Sequence, residues 1–329
     1  MPRTTMEDVA REAGVSRALV SLAYRNAFGV SEATRRHILE VGERLGYVHN
    51  RVAAQLATRG SSALGVFLQD LHNDLFAGLY DGIREVAEEH GRELVLAIGS
   101  RDEDRDAASL TTLQGTRVAA IVAAGLRLPD AEALTHSART PLVAVARRIP
   151  GVDSAYSDNL VGARLATEHL LALGHRDVVF FANPPADGYR DRGRGYEAAM
   201  AGAGLRPRTV VTSYAREEVA AEAARLFDAV DPPTAVFAHN DQAALGVLDL
   251  LHARGLTPGA DVSVVGYDNS SISSAPGTAL TTIDLHGRDL GRAGARMAIA
   301  RTSDPDAAPA LEVSDPTLVV RRTTGPPPR

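Results

Sequence analysis

Cysteine and tryptophan are both absent from the 329 residues. Without cysteine there is no disulfide framework, no thiolate metal site and no cysteine nucleophile. Aromatic side chains supply only 5% of the chain, so the cores must be built from Ala, Val, Leu and Ile. No stretch approaches the run of about 18 uncharged apolar residues that a membrane span requires. Residues 1–11 carry charges and no apolar run, so no secretory signal is read there, and a cytoplasmic chain without a membrane partner is expected. Signatures of catalysis are missing as well. There is no Gly-x-Ser-x-Gly elbow, no phosphate loop and no metal-spaced pair among the ten histidines. The expectation is a protein with no catalytic residues, no metal and no cofactor.

What is present is the balance of a folded globular protein, 45% apolar and 23% charged, long enough for two or three domains. The net charge of −6 argues against nucleic acid until it is divided along the chain. Residues 1–60 hold nine arginines and six acids, a net of +3, which leaves −9 on the remaining 269 residues. Every basic side chain is arginine. A small basic head on an acidic body fits a head that meets DNA.

Three short helices are expected in the head. Thr5 and Asp8 form a capping-box pair opening a helix over Met6–Ala13, and Gly14 breaks it. Ser16 can cap a second helix over Arg17–Tyr24. Ser31 can cap a third that carries Ile38, Val41 and Leu45 on one face and stops at Gly46. Steep crossing of the first two needs small residues and a left-handed turn. Ala10, Ala13 and Gly14 supply these, and Val15 and Val20 fill the core. Such a helix-turn-helix lays its second helix in the major groove. Arg17 and Ala18 are then candidates for base edges, and Ser16 and Ser21 for phosphates. An ordinary helical hairpin that binds nothing has the same geometry.

From Ala63 the pattern becomes strand and helix in alternation. Apolar runs at 63–68, 94–98, 118–123, 141–145, 178–182, 209–212, 235–238 and 262–266 read as buried parallel strands. Phe76, Leu79, Tyr80, Ile83, Val86 and Ala87 form a stripe at helical spacing between the first two. Alternation over about 265 residues implies a two-lobed doubly wound α/β body. In such folds ligands sit at the carboxyl ends of strands. Arg192, Asn240, Asp241 and Asp268 fall there, although Asp241 reads equally well as a helix cap. The tail from Gly325 is expected to fray.

The run Asp8-Val-Ala-x-x-Ala-Gly-Val-Ser-x-x-x-Val-Ser21, followed by Val30-Ser-x-x-Thr-Arg35, Leu45-Gly-Tyr47 and Asn50, resembles the lactose-repressor (LacI/GalR) family of bacterial transcription regulators. The likeness continues through Ser157-Asp-Asn159, Leu173-Gly-His175, 233–246 and 261–268. It implies a small all-α helix-turn-helix head at 1–46, a hinge at 47–62, and a periplasmic-binding-protein-like body at 63–329. The lobes would be 63–156 with 286–315 and 157–285 with 316–329. By the same resemblance the chain is a DNA-binding regulator, by default a repressor, that reads a palindromic operator as a homodimer and answers to a small effector such as a sugar or nucleoside.

The resemblance also assigns residues. DNA contacts would come from Ser16, Arg17, Ala18, Ser21, Leu22 and Arg25, with Asn50, Ala53 and Leu56 from a hinge helix at 51–58. Leu56 would wedge into the central base step; a plain linker is the other reading of that stretch. Leu22 stands where the family often has arginine, so a bidentate guanine contact is lost there. Leu19 and Arg25 replace the family's usual Thr and Asn. The effector would be met by Phe76, Arg147, Asp158, Arg192, Tyr214, Asn240 and Asp268. Phe76 also sits on the apolar stripe, so core packing is an equal reading. The aspartate that usually precedes Arg147 is Ala146.

Three further classes stand beside this one. Gly193-Arg-Gly195-Tyr-Glu-Ala198 matches a dinucleotide fingerprint, but about ten loop residues separate it from the nearest strand. A periplasmic-type solute-binding protein would share the body but has no use for the head. A sugar-modifying enzyme would need an acid/base pair that is not found. No leucine heptads occur in the tail, so a tetramer through a C-terminal coiled coil is not expected.

Overall fold

The computed structural model describes residues 4–24, 27–47, 62–100, 103–183, 189–213 and 215–328. The chain divides into two compact units, 1–61 and 62–329.

In the first unit, helix α1 (Met6–Ala13) opens with the capping box. The Thr5 hydroxyl accepts from the Asp8 amide at 3.3 Å, and the Asp8 carboxylate accepts from the Thr5 amide at 2.9 Å. The pair satisfies orphan amides at the helix start. Gly14 ends the helix at φ 65°, the left-handed conformation that a side chain resists. Helix α2 (Arg17–Tyr24) begins on Ser16, whose hydroxyl accepts from the Leu19 amide at 3.2 Å. Helix α3 (Glu32–Arg44) begins on Ser31. Val9, Val20 and Ile38 are fully buried where the three helices meet. Gly42 allows the closest approach, since a Cβ there would overlap the Tyr24 hydroxyl.

The second unit is built on two six-stranded sheets. The first has the order β2-β1-β3-β4-β5-β11 and is parallel throughout: β1 (Leu64–Leu68), β2 (Leu94–Ile98), β3 (Ala120–Ala124), β4 (Leu142–Val145), β5 (Asp153–Ser157) and β11 (Leu311–Ser314). The second has the order β7-β6-β8-β9-β10-β12: β6 (Val178–Ala182), β7 (Arg208–Val211), β8 (Ala235–Ala238), β9 (Ser263–Tyr267), β10 (Thr281–Asp284) and β12 (Thr317–Val319). Only β12 in this second sheet runs antiparallel to its neighbour.

Helices cover both faces. Helices α4 (Asp74–Glu89), α5 (Glu103–Gly115), α6 (Asp130–Ser137) and α11 (Gly287–Ser303) belong with the first sheet; α7 (Asn159–Ala172), α8 (Tyr189–Gly202), α9 (Arg216–Phe227) and α10 (Asp241–Ala253) belong with the second. The chain therefore passes between sheets at 157–159, 284–287 and 314–317. Doubly wound α/β architecture in two lobes follows from this order. No helix among the described residues is long and apolar enough to cross a membrane.

The predicted apolar strands are all present, most within a residue or two of the expected limits. Four strands went unread. β5 is Asp-Ser-Ala-Tyr-Ser and β10 is Thr-Thr-Ile-Asp, so neither offers an apolar run, while β11 and β12 are short strands at the sheet edges. The tail is a correction. The Gly325 carbonyl accepts from His175 Nε2 at 2.9 Å, and its amide donates to Ser263 Oγ at 3.0 Å. Buried polar groups that need partners thus tie Gly325 to the second lobe instead of leaving it frayed.

Candidate functional site

The carboxyl ends of both sheets face a cleft that holds a cavity of about 180 Å³. The second lobe supplies its most polar wall. Asp268 follows β9 at φ 104° and is 6% exposed. Its Oδ2 accepts from Asn73 Nδ2 at 3.0 Å, while Oδ1 lies 3.8 Å from Arg192 Nη2 and has no hydrogen-bond partner among the described residues. Burial pushes the Asp268 carboxyl up to about 7, against the pull of the Arg192 guanidinium. Arg192, in the first turns of α8, donates from Nε to Asn159 Oδ1 at 2.8 Å and from Nη1 to the His239 carbonyl. Its guanidinium lies 3.9 Å over the ring of Tyr267.

Two residues after β8 complete this wall. His239 is buried, and burial, then the charge of Arg192, pushes its imidazole down to about 3. It is therefore neutral. Its Nδ1 lies 3.2 Å from the Phe181 carbonyl, which makes Nδ1 the donor and Nε2 an acceptor. Asn240 caps α10, accepting from the Ala243 amide at 2.8 Å, and lines the cleft. Asp241 is not the cap. It is buried and accepts from the Ser270 amide and hydroxyl at 2.7 Å each and from Thr282 Oγ1 at 2.6 Å. Burial raises it to about 6. It orders the turn after β9 that carries Asp268.

The first lobe contributes an apolar wall with a polar floor. Phe76 is 8% exposed, belongs to the main core and also lines the cleft. It leans on Gly125, where a Cβ would lie 2.8 Å from the ring. Gln69, at the end of β1, is 4% exposed; its Nε2 donates to the Ser100 carbonyl, and its Oε1 has no partner among the described residues. Two residues of the lining, Gln69 and Asp268, thus each carry a buried acceptor oxygen without a donor among the described residues. A ligand that brings hydroxyl or N–H groups would satisfy both.

Of the expected effector residues, Phe76, Arg192, Asn240 and Asp268 meet in this cleft. Arg147 does not. Its guanidinium donates to the carbonyls of Leu126 and Leu128 at 2.7 and 2.9 Å and pairs with Asp130, so it ties down the loop after β3. Ala146, at φ 67°, lines the cleft in its place. Asp158 is also absent from the lining. It caps α7, accepting from the Leu160 and Val161 amides at 3.0 Å each, while its neighbours Ser157 and Asn159 face the cavity. Tyr214 lies outside the described residues. Sequence reasoning missed Gln69, Asn73, Arg127, Asn183, His239 and Gln242 on the lining. The strand-end rule, carried to the first residues after β1, β6 and β8, would have found Gln69, Asn183 and His239.

In the head, Arg17 and Ala18 are exposed at the start of α2, with Ser16 exposed before them. Ser21 and Leu22 are half-buried one turn on. Arg25, Asn50, Ala53 and Leu56 lie outside the described residues.

Residues 5–50 match the model of bacterial regulatory proteins of the lacI family, and residues 167–324 match that of a periplasmic binding protein-like domain. The HTH-type transcriptional regulator CelR of Thermobifida fusca is 30% identical over 336 residues, 98% of either chain. The chain belongs to the LacI family. This LacI-family member is a transcriptional regulator and not an enzyme, and the dinucleotide match at Gly193 is simply part of α8. The HTH-type transcriptional regulator DegA of Bacillus subtilis is 28% identical over 98% of this chain and 99% of its own. Among solved structures, the lac repressor dimer bound to operator and the anti-inducer ONPF superposes with a TM-score of 0.85 at 28% identity, over 98% of this chain and all of that one. A CelR–cellobiose complex gives 0.72 at 27% identity, over 98% of this chain and 100% of that one.

Proposed function

We propose that this LacI-family protein represses transcription in the cytoplasm by binding a palindromic operator as a homodimer, and that a small, donor-rich polar metabolite in the cleft sets its grip. Residues 1–46 form the DNA-binding head, 47–62 the hinge, and 63–329 the effector-binding and dimerising body. Arg17, Ala18 and Leu22 read base edges, with Leu22 suited to a thymine methyl; Ser16, Ser21 and Arg25 hold the backbone. Asn50, Ala53 and Leu56 act from the hinge in the minor groove. Asp268, Arg192, Asn240 and Phe76 meet the effector. The observation that carries the effector reading is that two lining residues from the two lobes, Gln69 and Asp268, each hold a buried acceptor oxygen without a donor among the described residues.

The relatives agree with a small-molecule effector, since one solved neighbour holds cellobiose and another the anti-inducer ONPF together with operator. An effector that couples to DNA with about 1–3 kcal/mol would change operator affinity by roughly 5–150-fold. The experiment is selection of duplexes from a random library by the purified protein, followed by titration of the selected site in the presence of neutral sugars and nucleosides, cellobiose among them. One enriched palindrome whose affinity moves with a ligand is the expected result. No enriched site, from protein shown to be folded, would favour a solute-binding role for the body.

A further inference from the structure

Polar contacts across the mouth of the cleft gather at the start of α4. The His72 carbonyl accepts from Gln242 Nε2 at 3.5 Å, the Asp74 carboxylate accepts from the Ser271 hydroxyl, and Asn73 Nδ2 donates to Asp268 Oδ2 at 3.0 Å. Of these, the Asn73 contact reaches the buried carboxylate of the cavity. Asn73 has a second duty: its Oδ1 accepts from the Leu75 amide at 3.0 Å and caps α4.

Both ends of this bridge are fixed in their own lobes. Helix α4 lies against α11 with backbones in contact, because a Cβ on Gly82 would overlap the Arg288 carbonyl and one on Gly291 the Leu79 carbonyl. On the other side, the Asp268 amide donates to the Ile283 carbonyl at 2.8 Å, and Asp241 holds Ser270. Around the Asp268 carboxylate stand Arg192 at 3.8 Å, the Asp241 carboxylate and the Tyr267 ring. Its other oxygen, Oδ1, is buried without a hydrogen-bond partner among the described residues, and Asp268 lines the cavity.

We propose that Asn73 is a positioning residue that ties effector occupancy to the spacing of the lobes: one side-chain amide holds the cavity carboxylate with its nitrogen and the first turn of α4 with its oxygen. This rests on the cleft being the effector site. A donor on the effector that engages Asp268 Oδ1 keeps the carboxylate charged, and a charged acceptor holds the Asn73 amide more tightly. The lobes are then drawn together at the mouth without the effector touching α4.

Hydrogen exchange of the full-length, ligand-free protein tests the bridge. Asn73→Ser keeps a capping oxygen but is too short to reach Asp268. Amides of 268–274 should exchange roughly tenfold faster, the scale of one charge-assisted hydrogen bond, while those of 75–79 stay near wild type. Adding Asp268→Asn to Asn73→Ser should bring no further acceleration. Acceleration confined to 75–79 would mark Asn73 as a helix cap alone and overturn the proposal, as would unchanged exchange in both segments. No ligand enters the measurement, so such a failure would leave the effector site itself standing.

Discussion

A carboxyl group with a pKa near 7 inside a protein is held there at the expense of the fold, and Asp268 is such a group. Between about pH 4 and 7 the folded protein keeps a proton that the unfolded chain has released, since an ordinary aspartate ionises near 3.9. Stability owed to this residue is therefore highest in acid and falls as pH rises towards 7. Four histidines act the other way: the buried His136, His175 and His239 and the half-buried His169 are all pushed down by desolvation and oppose folding below about pH 6.5. Comparing Asp268→Asn with wild type cancels the histidines. From about pH 5.5 to 7.5 the urea midpoint of the variant should rise as the histidines lose their penalty, and that of wild type should rise less, because Asp268 loses its stabilising proton over the same interval. Parallel behaviour of the two proteins would mean that Asp268 ionises normally.

Arg192 is the other residue whose loss has a defined sign. It holds Asn159 and the His239 carbonyl and is the cation nearest Asp268. Arg192→Ala removes all three contacts and leaves a buried carboxyl with no counter-charge, at a cost of about 3 kcal/mol. The response of operator binding to the effector should vanish while affinity for operator persists. An effector response of wild-type size would remove Arg192 from the site. Their place in the cleft was legible in the sequence because Asp268 directly follows an apolar strand, Arg192 opens the helix after the loop that follows another, and both lie in recognisable motifs. Arg147 was misplaced because its guanidinium is drawn to the carbonyls of 126 and 128, contacts of long sequence separation that no local pattern reports.

At the scale of elements, local chemistry decided what could be read. The head was legible almost to the residue, since Thr5, Gly14, Ser16 and Ser31 each perform the capping or turning role their side chains suit. The body's central apolar strands were legible because they are buried on both faces, while β2 and β7, also read as buried, are edge strands and only partly covered. β5 and β10 were not, because their polar residues are satisfied only in the assembled sheet: Asp153 is buried against Arg301 from α11, and Thr282 against Asp241 from α10. Close packing of α4 on α11 yields a prediction at this scale. Gly82→Ala forces apart two backbones in contact and should destabilise the body by about 1–3 kcal/mol. Gly115→Ala, at the end of α5 with open space around it, should be neutral or stabilising by up to about 1 kcal/mol. Denaturant midpoints of the two variants compare them directly, and equal shifts would show that the α4–α11 contact carries no special constraint.

For the whole molecule, charge is divided as function would ask, with +3 on residues 1–60 and −9 on the rest. Three arginines of excess give modest attraction to phosphate, so specific grip must come from elsewhere as well. The proposed source is the hinge, where Leu56 wedges between base pairs at the operator centre. Leu56→Ala should weaken operator binding by roughly 10–100-fold while barely changing affinity for random duplex, because unstacking is repaid only on the bent site. Equal losses on both DNAs, measured at one salt concentration, would dismiss the wedge.

The threefold passage of the chain between sheets bears on how the protein is made. The first sheet lacks its edge strand β11 until residue 314 exists, and the second lacks β12 and the Gly325 bridge to His175 until later still. A ribosome that has delivered 300 residues has completed neither lobe, although every helix that covers the sheets is by then almost entirely synthesised. Assembly of the body thus waits for residues well after 300. Polypeptides stopped at residue 300 should be degraded by a low dose of protease that spares the full chain; survival of either lobe would contradict this. A cell that aborts synthesis then inherits short-lived debris, not a half-built regulator able to compete for the operator and deaf to its signal.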